Sequence, residues 1–344
     1  MIRHPLLAAV LALDLVGLLL LAAAGYAAIR ALLDWNPASS DRAQLRRERE
    51  AEYSSLLARG GFWGLALGGA LFVLAVALAL PGLVPGAMCG VGVMEAMGGA
   101  GQRALAVRGL ALLALWVWRV LDGLNRRSPR GALSTASLRF LLVALAPAFL
   151  AVYDTILAVV RLDVHAPVSC CTALYDRLRT ATPGVLGGTS NDTGVLFAWI
   201  VIGATALAVA VIFSLRPPKR LAWPSLALAA TMGAWSWLSL IAVQRIFASY
   251  HYGVLSHHCP WCLFLPEHYL IGVWLWGALV VGVLESVALI AAGRSADMQP
   301  ELREAAAERF RRAARHVAMA VLFFSLLAAA PAVVWRIRFG MWME

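Results

Sequence analysis

Charged residues are scarce in this sequence. Only 14% of its 344 residues are Asp, Glu, Lys or Arg and 61% are hydrophobic, whereas a soluble globular domain carries roughly 25% charged residues. Lysine is almost absent, because Lys219 is the one lysine among 29 lysine and arginine residues. Lipid cannot solvate charge, and a spanning helix needs about 20 mostly apolar residues. The shortage excludes a soluble globular domain and favours a protein built from membrane-spanning helices.

Nucleotide-binding motifs are also missing. No Walker-type loop or dinucleotide fingerprint occurs, and the Gly-rich run 90–101 follows no strand, so we predict a loop there. The net charge of +10 is spread over short loops and forms no basic stripe with interleaved aromatic residues, so no nucleic-acid partner is expected. The first apolar stretch, 5–33, is too long for a signal-peptide core, and no cleavable signal is predicted.

Eight apolar segments are long enough to be spanning helices. They predict an all-α, polytopic membrane helix bundle with about eight transmembrane helices and direct contact with membrane lipid. The third segment is the weakest, because it is short and contains Arg108 and Arg119. The segments are 5–33, 61–83, 104–121, 138–161, 195–215, 221–247, 269–293 and 316–336.

The loops between these segments alternate in basic charge. The first, third, fifth and seventh loops together hold 18 basic residues, whereas the second, fourth and sixth loops hold only Arg103, Arg177 and Arg179. Cytoplasmic loops retain Lys and Arg, so the basic loops are predicted to be cytoplasmic and both termini non-cytoplasmic. The expected location is a bacterial cytoplasmic (inner) membrane. The basic loops are 34–60, 122–139, 216–220 and 294–315, and the others are 84–103, 162–194 and 248–268.

This topology predicts three regions. Residues 1–137 form an N-terminal three-span region whose outer loop contains Cys89. Residues 138–293 form a four-span core that carries the other cysteines. Residues 294–344 contain a cytoplasmic amphipathic segment, 300–315, and the final span.

All five cysteines fall in, or at the edge of, the three poorly basic loops. They are therefore predicted at the outer face, where disulfides form and persist; the alternative is that each is simply a small buried hydrophobic residue. Because the chain has five cysteines, at least one cannot be paired within it. This thiol would stay free, bond to another protein or serve in thiol transfer. The cysteines are Cys89, the adjacent pair Cys170 and Cys171, and Cys259 and Cys262.

The sequence Cys259-Pro260-Trp261-Cys262 precedes the seventh span, so we expect a helix N-terminus near it, which stabilises thiolate. Two intervening residues allow a disulfide that can be oxidised and reduced repeatedly. Adjacent thiols such as Cys170 and Cys171 more often act separately. One can exchange with Cys259 or Cys262 while the other bonds Cys89.

A soft-metal site is the alternative interpretation of the same residues. Cysteine and methionine sulfur suit Cu(I), and cysteine with histidine suits zinc. Copper or zinc would then be held by ligands drawn from Cys89, Met88, Cys170, Cys171, Cys259, Cys262, His257, His258 and His268.

Ionisable residues inside the predicted spans indicate either function or pairing, because an intramembrane charge is costly. They are Asp14, Asp154, Arg245 and Glu285. An Asp–Arg pair between helices would meet the structural need alone. A proton or quinone role is the other interpretation, and Asp154 is the accessory residue that we single out for it.

The segment 138–293 resembles the vitamin K epoxide reductase family in layout. A span leads to an outer loop with Cys170 and Cys171, two further spans follow, and the Cys259–Cys262 motif precedes the next helix. The resemblance implies an active Cys259–Cys262 pair beside a quinone, with Cys170 or Cys171 relaying electrons from an extracytoplasmic thioredoxin-like or cysteine-containing partner. The first three spans and Cys89 have no counterpart in that family.

Three functions follow from these patterns. The first is a membrane thiol–disulfide oxidoreductase that acts at the outer face and delivers electrons to a quinone. The second is a soft-metal protein for copper binding, transport or metalloenzyme assembly. The third is a structural subunit of a membrane complex whose cysteines form only stabilising disulfides.

Overall fold

The computed structural model describes residues 4–33, 35–36, 39, 41–165, 167–168, 192–254 and 257–343. Within these ranges the chain is helical and contains no strand. Eight of its helices are long and apolar enough to cross a membrane, which confirms the predicted all-α, multi-pass membrane fold. They are α1 (Pro5–Leu32), α2 (Arg42–Ala79), α4 (Gly99–Asn125), α5 (Ser134–Arg161), α6 (Asp192–Leu215), α7 (Ala222–Tyr252), α8 (Ile271–Met298) and α9 (Pro300–Phe339); a short helix, α3 (Gly90–Ala96), precedes α4.

Two helices extend well beyond their apolar segments. The side chain of Asp41 accepts a hydrogen bond of 2.7 Å from the Gln44 backbone N–H, so α2 begins at this cap and not at residue 61. The charged segment 300–315 joins the last span in one continuous helix. Both extensions are rich in Ala, Glu and Arg, which are strong helix formers. The predicted loop over 90–101 is wrong, because α3 and the start of α4 occupy most of it.

The distribution of side-chain sizes on α1 is that of a helix in lipid. Its buried positions recur every three or four residues and are mostly small, whereas Leu15, Val16 and Leu19 are more than half exposed. Small interfacial residues let helices approach closely where lipid supplies no hydrophobic drive between them. A Cβ on Gly64 of α2 would lie only 2.8 Å from the Cα of Gly17 on α1, so the two backbones pack in direct contact.

The chain forms two compact units. Unit 1 comprises Met1–Ala75, Met94–Asp163 and Met298–Ala305, and unit 2 comprises Val76–Val93, Val164–Asp297 and Ala306–Glu344. Unit 1 contains α1, most of α2, α4 and α5, which pack against one another around a core that includes Leu65, Leu115, Trp118 and Leu141.

A buried ion pair joins all four of these helices in unit 1. Arg108 of α4 donates two hydrogen bonds, of 2.8 and 2.6 Å, to the two carboxylate oxygens of Asp14 on α1. It also donates to the Leu65 carbonyl of α2 and to the Thr155 hydroxyl of α5. A Cβ at Gly68 would lie 2.3 Å from Asp14 Oδ1, so this glycine leaves the space that the pair occupies. The bidentate geometry offsets the cost of burying both charges.

The other intramembrane ionisable residues are also paired. Asp154 accepts from Arg103 at 2.8 Å within unit 1. In unit 2, Arg245 lies 2.7 Å from Asp192, and Glu285 lies 2.7 Å from Arg309. These distances support the interpretation that the charges are paired between helices.

Unit 2 is held by an aromatic core. The indole N–H of Trp199 on α6 donates to the Ser239 hydroxyl of α7 at 2.9 Å. The Trp199 ring stacks on Trp235, and the Trp235 ring meets Phe324 of α9 edge to face. Such ring pairs contribute beyond the area that they bury, so this core connects α6, α7 and α9.

Candidate functional site

Three cysteines of unit 2 form a buried cluster. The Sγ atoms of Cys89, Cys259 and Cys262 all lie within 4.8 Å of one another, and the side chains are 0%, 1% and 5% exposed. The Cys89 and Cys259 sulfurs are 3.4 Å apart. A disulfide is about 2.05 Å long, so these two sulfurs are in non-bonded contact. The distribution of basic residues predicts all three at one membrane face, and the structure brings the two loops that carry them together.

The Cys-x-x-Cys segment lies in a loop of tight turns. Cys262 begins a single turn of 3₁₀ helix, Cys262–Phe264, and a second such turn covers Pro266–His268. The chain then passes through left-handed backbone at Tyr269 and Leu270 before α8 begins at Ile271. The helix N-terminus expected near this motif therefore lies nine residues beyond Cys262, and it does not adjoin the thiols. They owe their position to turn geometry and packing.

Trp261, inside the Cys-x-x-Cys segment, fixes this segment against the loop of Cys89. A Cβ at Gly90 would lie 2.4 Å from Cε3 of the Trp261 ring, so glycine is required for the observed contact. Val91 and Leu265 also pack against the cluster. Gly90 directly follows Cys89 in the sequence. Because Gly90 has no side chain, the Trp261 indole can pack against it, and this contact holds Cys89 close to Cys259.

Tyr252, at the end of α7, supports the other side of the site. Its hydroxyl donates a hydrogen bond of 2.5 Å to the Cys259 carbonyl. The Tyr252 ring meets the rings of His257 and His268 edge to face, with centroids 4.4 and 4.6 Å away. Burial lowers the pKa of His268; Glu267 opposes this shift and His257 adds to it. The two histidine rings therefore pack against Tyr252, the residue that positions Cys259.

The other predicted site residues are placed differently. Met88 is 71% exposed. His258 is buried, and its Nδ1 lies 3.2 Å from the Ser249 hydroxyl. Asp154 belongs to unit 1 and pairs with Arg103. Among the described residues, the group that could hold a metal ion consists of the three cysteines and includes none of the histidines. Cys170 and Cys171 lie outside the described residues.

The cluster permits two kinds of chemistry. Sulfurs in contact can exchange a disulfide, because a thiolate attacks a disulfide sulfur directly. Alternatively, metal–sulfur bonds of about 2.3 Å hold the sulfurs of one ion roughly 4 Å apart, which fits an arrangement within 4.8 Å.

Fold and site together define a multi-pass membrane protein with a buried cysteine cluster. No family model, curated protein or solved structure matches the chain.

Proposed function

We propose that this protein is a membrane thiol–disulfide oxidoreductase in which Cys259 exchanges disulfide bonds with both Cys262 and Cys89. The observation that carries the proposal is the 3.4 Å contact between the Cys89 and Cys259 sulfurs, with Cys262 within 4.8 Å of both. A third thiol at this distance can attack a Cys259–Cys262 disulfide without a large movement of the backbone.

The exchange step conserves atoms and electrons. The Cys89 thiol loses its proton and attacks Cys259 Sγ; the Cys89–Cys259 bond forms, the Cys259–Cys262 bond breaks, and Cys262 leaves as a thiolate that takes up a proton. The number of disulfides does not change. Net oxidation comes from a quinone, which accepts two electrons and two protons as two thiols of the cluster close a disulfide and becomes the quinol.

The source of electrons is an extracytoplasmic dithiol on a thioredoxin-like or other cysteine-containing partner. Such a protein cannot reach Cys259, which is 1% exposed, so an intermediary thiol is needed. Cys170 and Cys171 lie in the predicted outer loop and would take this part. In each transfer the partner's two thiols become a disulfide and a disulfide of this chain becomes two thiols. We propose that the cluster lies at the outer face of a bacterial inner membrane, which the distribution of arginine among the loops predicts.

Disulfide mapping of serine variants tests the proposal. Membranes that hold the Cys262→Ser variant are oxidised with a soluble quinone, blocked with an alkylating reagent and mapped by non-reducing mass spectrometry. We expect a Cys89–Cys259 bond in this variant and a Cys259–Cys262 bond in Cys89→Ser. The matched control is Cys259→Ser, which removes the shared sulfur and with it both bonds. If all thiols stay reduced in every variant while quinone is present, the protein is not a thiol oxidase.

A soft-metal site is the second candidate, and the compact group of three sulfurs favours it. Three thiolates can hold one Cu(I) or Zn²⁺ ion, with one position open for a further ligand on zinc. Metal analysis of protein purified under reducing conditions separates the two candidates. One equivalent of copper or zinc in the wild type that is lost in Cys89→Ser would favour this function, and metal-free protein that oxidises dithiols would exclude it.

A further inference from the structure

A groove in unit 2 combines basic and apolar residues. It has a volume of about 510 Å³ and lies between the end of α6 and the middle of α9. Its lining residues are Ser214, Arg312, Arg315, His316, Ala318 and Met319. The site is unrelated to the cysteine cluster, and the proposed thiol chemistry does not use it.

The groove lies where one face of α9 changes from charged to apolar. Arg312, Arg315 and Met319 follow one another at spacings of three and four residues, so they share a helix face. The same face continues into Leu322, Phe323 and Leu326, which are all exposed. Near the end of α6, Ile212 and Leu215 are likewise exposed. A sharp transition of this kind marks the level of lipid headgroups, where arginine extends towards the phosphate layer while its stem stays in apolar surroundings.

The charges around the groove leave one arginine available. Arg312 pairs with Glu308 at 2.9 Å, and His316 lies 3.2 Å from Glu285, which Arg309 also contacts. Arg315 is exposed and has no ion pair among the residues that the structure describes. A planar guanidinium with free N–H donors matches a phosphate in geometry as well as in charge.

We propose that this groove binds one anionic phospholipid, with its phosphate at Arg315 and an acyl chain along Met319 and the apolar face below. Charge complementarity identifies the headgroup, and the continuity of the groove with the exposed apolar face identifies the tail. The arginine-rich loops on this side are predicted to be cytoplasmic. Anionic lipids of that leaflet are attracted to basic residues by about fivefold in affinity for each residue.

The test is native mass spectrometry of the purified full-length protein titrated with dioleoyl phosphatidylglycerol. We expect one preferred lipid, bound about fivefold more weakly by Arg315→Gln. The matched control is Arg311→Gln, which removes an exposed arginine of the same helix that does not line the groove. Its affinity should equal that of the wild type. Equal losses in the two variants would overturn the proposal, because they would indicate a diffuse effect of surface charge.

Two further probes separate the headgroup from the tail. Dioleoyl phosphatidylcholine that binds as tightly as phosphatidylglycerol would overturn the anionic preference. Inorganic phosphate that displaces the lipid at equal concentration would overturn the lipid as occupant, since the site would then recognise a free anion. Met319→Trp keeps every charge but fills the groove, so it should weaken phosphatidylglycerol binding. A thermal melt without added lipid verifies that each variant is folded, and unchanged binding in a folded Met319→Trp would contradict the acyl-chain position.

Discussion

Replacing Asp14 with leucine leaves the Arg108 guanidinium in the interior of unit 1 without its counter-charge. Arg108 is 3% exposed, and two hydrogen bonds connect it to Asp14. Removal of one partner of a buried pair costs about 3–5 kcal/mol, because the remaining charge is neither solvated nor neutralised. The other two hydrogen bonds of Arg108, to the Leu65 carbonyl and the Thr155 hydroxyl, supply no negative charge. We therefore expect the free energy of unfolding to fall by an amount in this range.

A double-mutant cycle measured by chemical unfolding in detergent micelles tests this expectation. Asp14→Leu and Arg108→Met should each be strongly destabilising. The double variant should recover most of the loss, because two apolar side chains replace both charges. The matched control is Arg30→Gln, which breaks the more exposed pair with Glu50 and should cost less than about 1 kcal/mol. If the losses of the single variants simply add in the double variant, the coupling that we infer is absent.

Two further predictions concern unit 2. Gly90→Ala should force Trp261 away from the Cys89 loop and lower the yield of the Cys89–Cys259 disulfide under oxidation, as measured by mass mapping. The control is Gly233→Ala, whose added Cβ meets no atom within 4 Å. This variant should leave the disulfide yield unchanged. Trp199→Phe and Ser239→Ala should each lower the free energy of unfolding by about 1–2 kcal/mol, since each leaves one buried polar group without its hydrogen-bond partner. The double variant should lose less than the sum of the two single losses. Full additivity would show that the hydrogen bond contributes nothing.

The spans of the fold could be predicted because an apolar run has no alternative to helix in lipid. The first segment, 5–33, differs from α1 (Pro5–Leu32) by one residue. The start of α2 could not be found in the same way, since hydropathy reports where a helix enters lipid and not where it begins. Its true start depends on the cap at Asp41 and on helix propensity outside the apolar segment.

The sequence predicts cysteines as site residues, but it does not predict which of the candidates lie together: among the described residues Cys89, Cys259 and Cys262 form the cluster, without the histidines. The distribution of basic residues among the loops predicts that Cys89 lies at the same face as Cys259 and Cys262. Their contact depends on the ring of Trp261 over Gly90, a tertiary interaction that no local pattern encodes. The same limit applies to the histidines near the motif. Their spacing suggested metal ligands, whereas His257 and His268 pack on Tyr252.

The contact between Cys89 and Cys259 joins positions that are 170 residues apart in the chain. When oxidised, this bond would close a ring that contains α3, α4, α5, α6 and α7. A covalent ring of that size restricts the unfolded chain and is worth more than about 4 kcal/mol. The melting temperature should therefore be higher when Cys89 and Cys259 form a disulfide than when the cluster is reduced. A melting curve recorded with and without reductant would report whether Cys259 is bonded to Cys89.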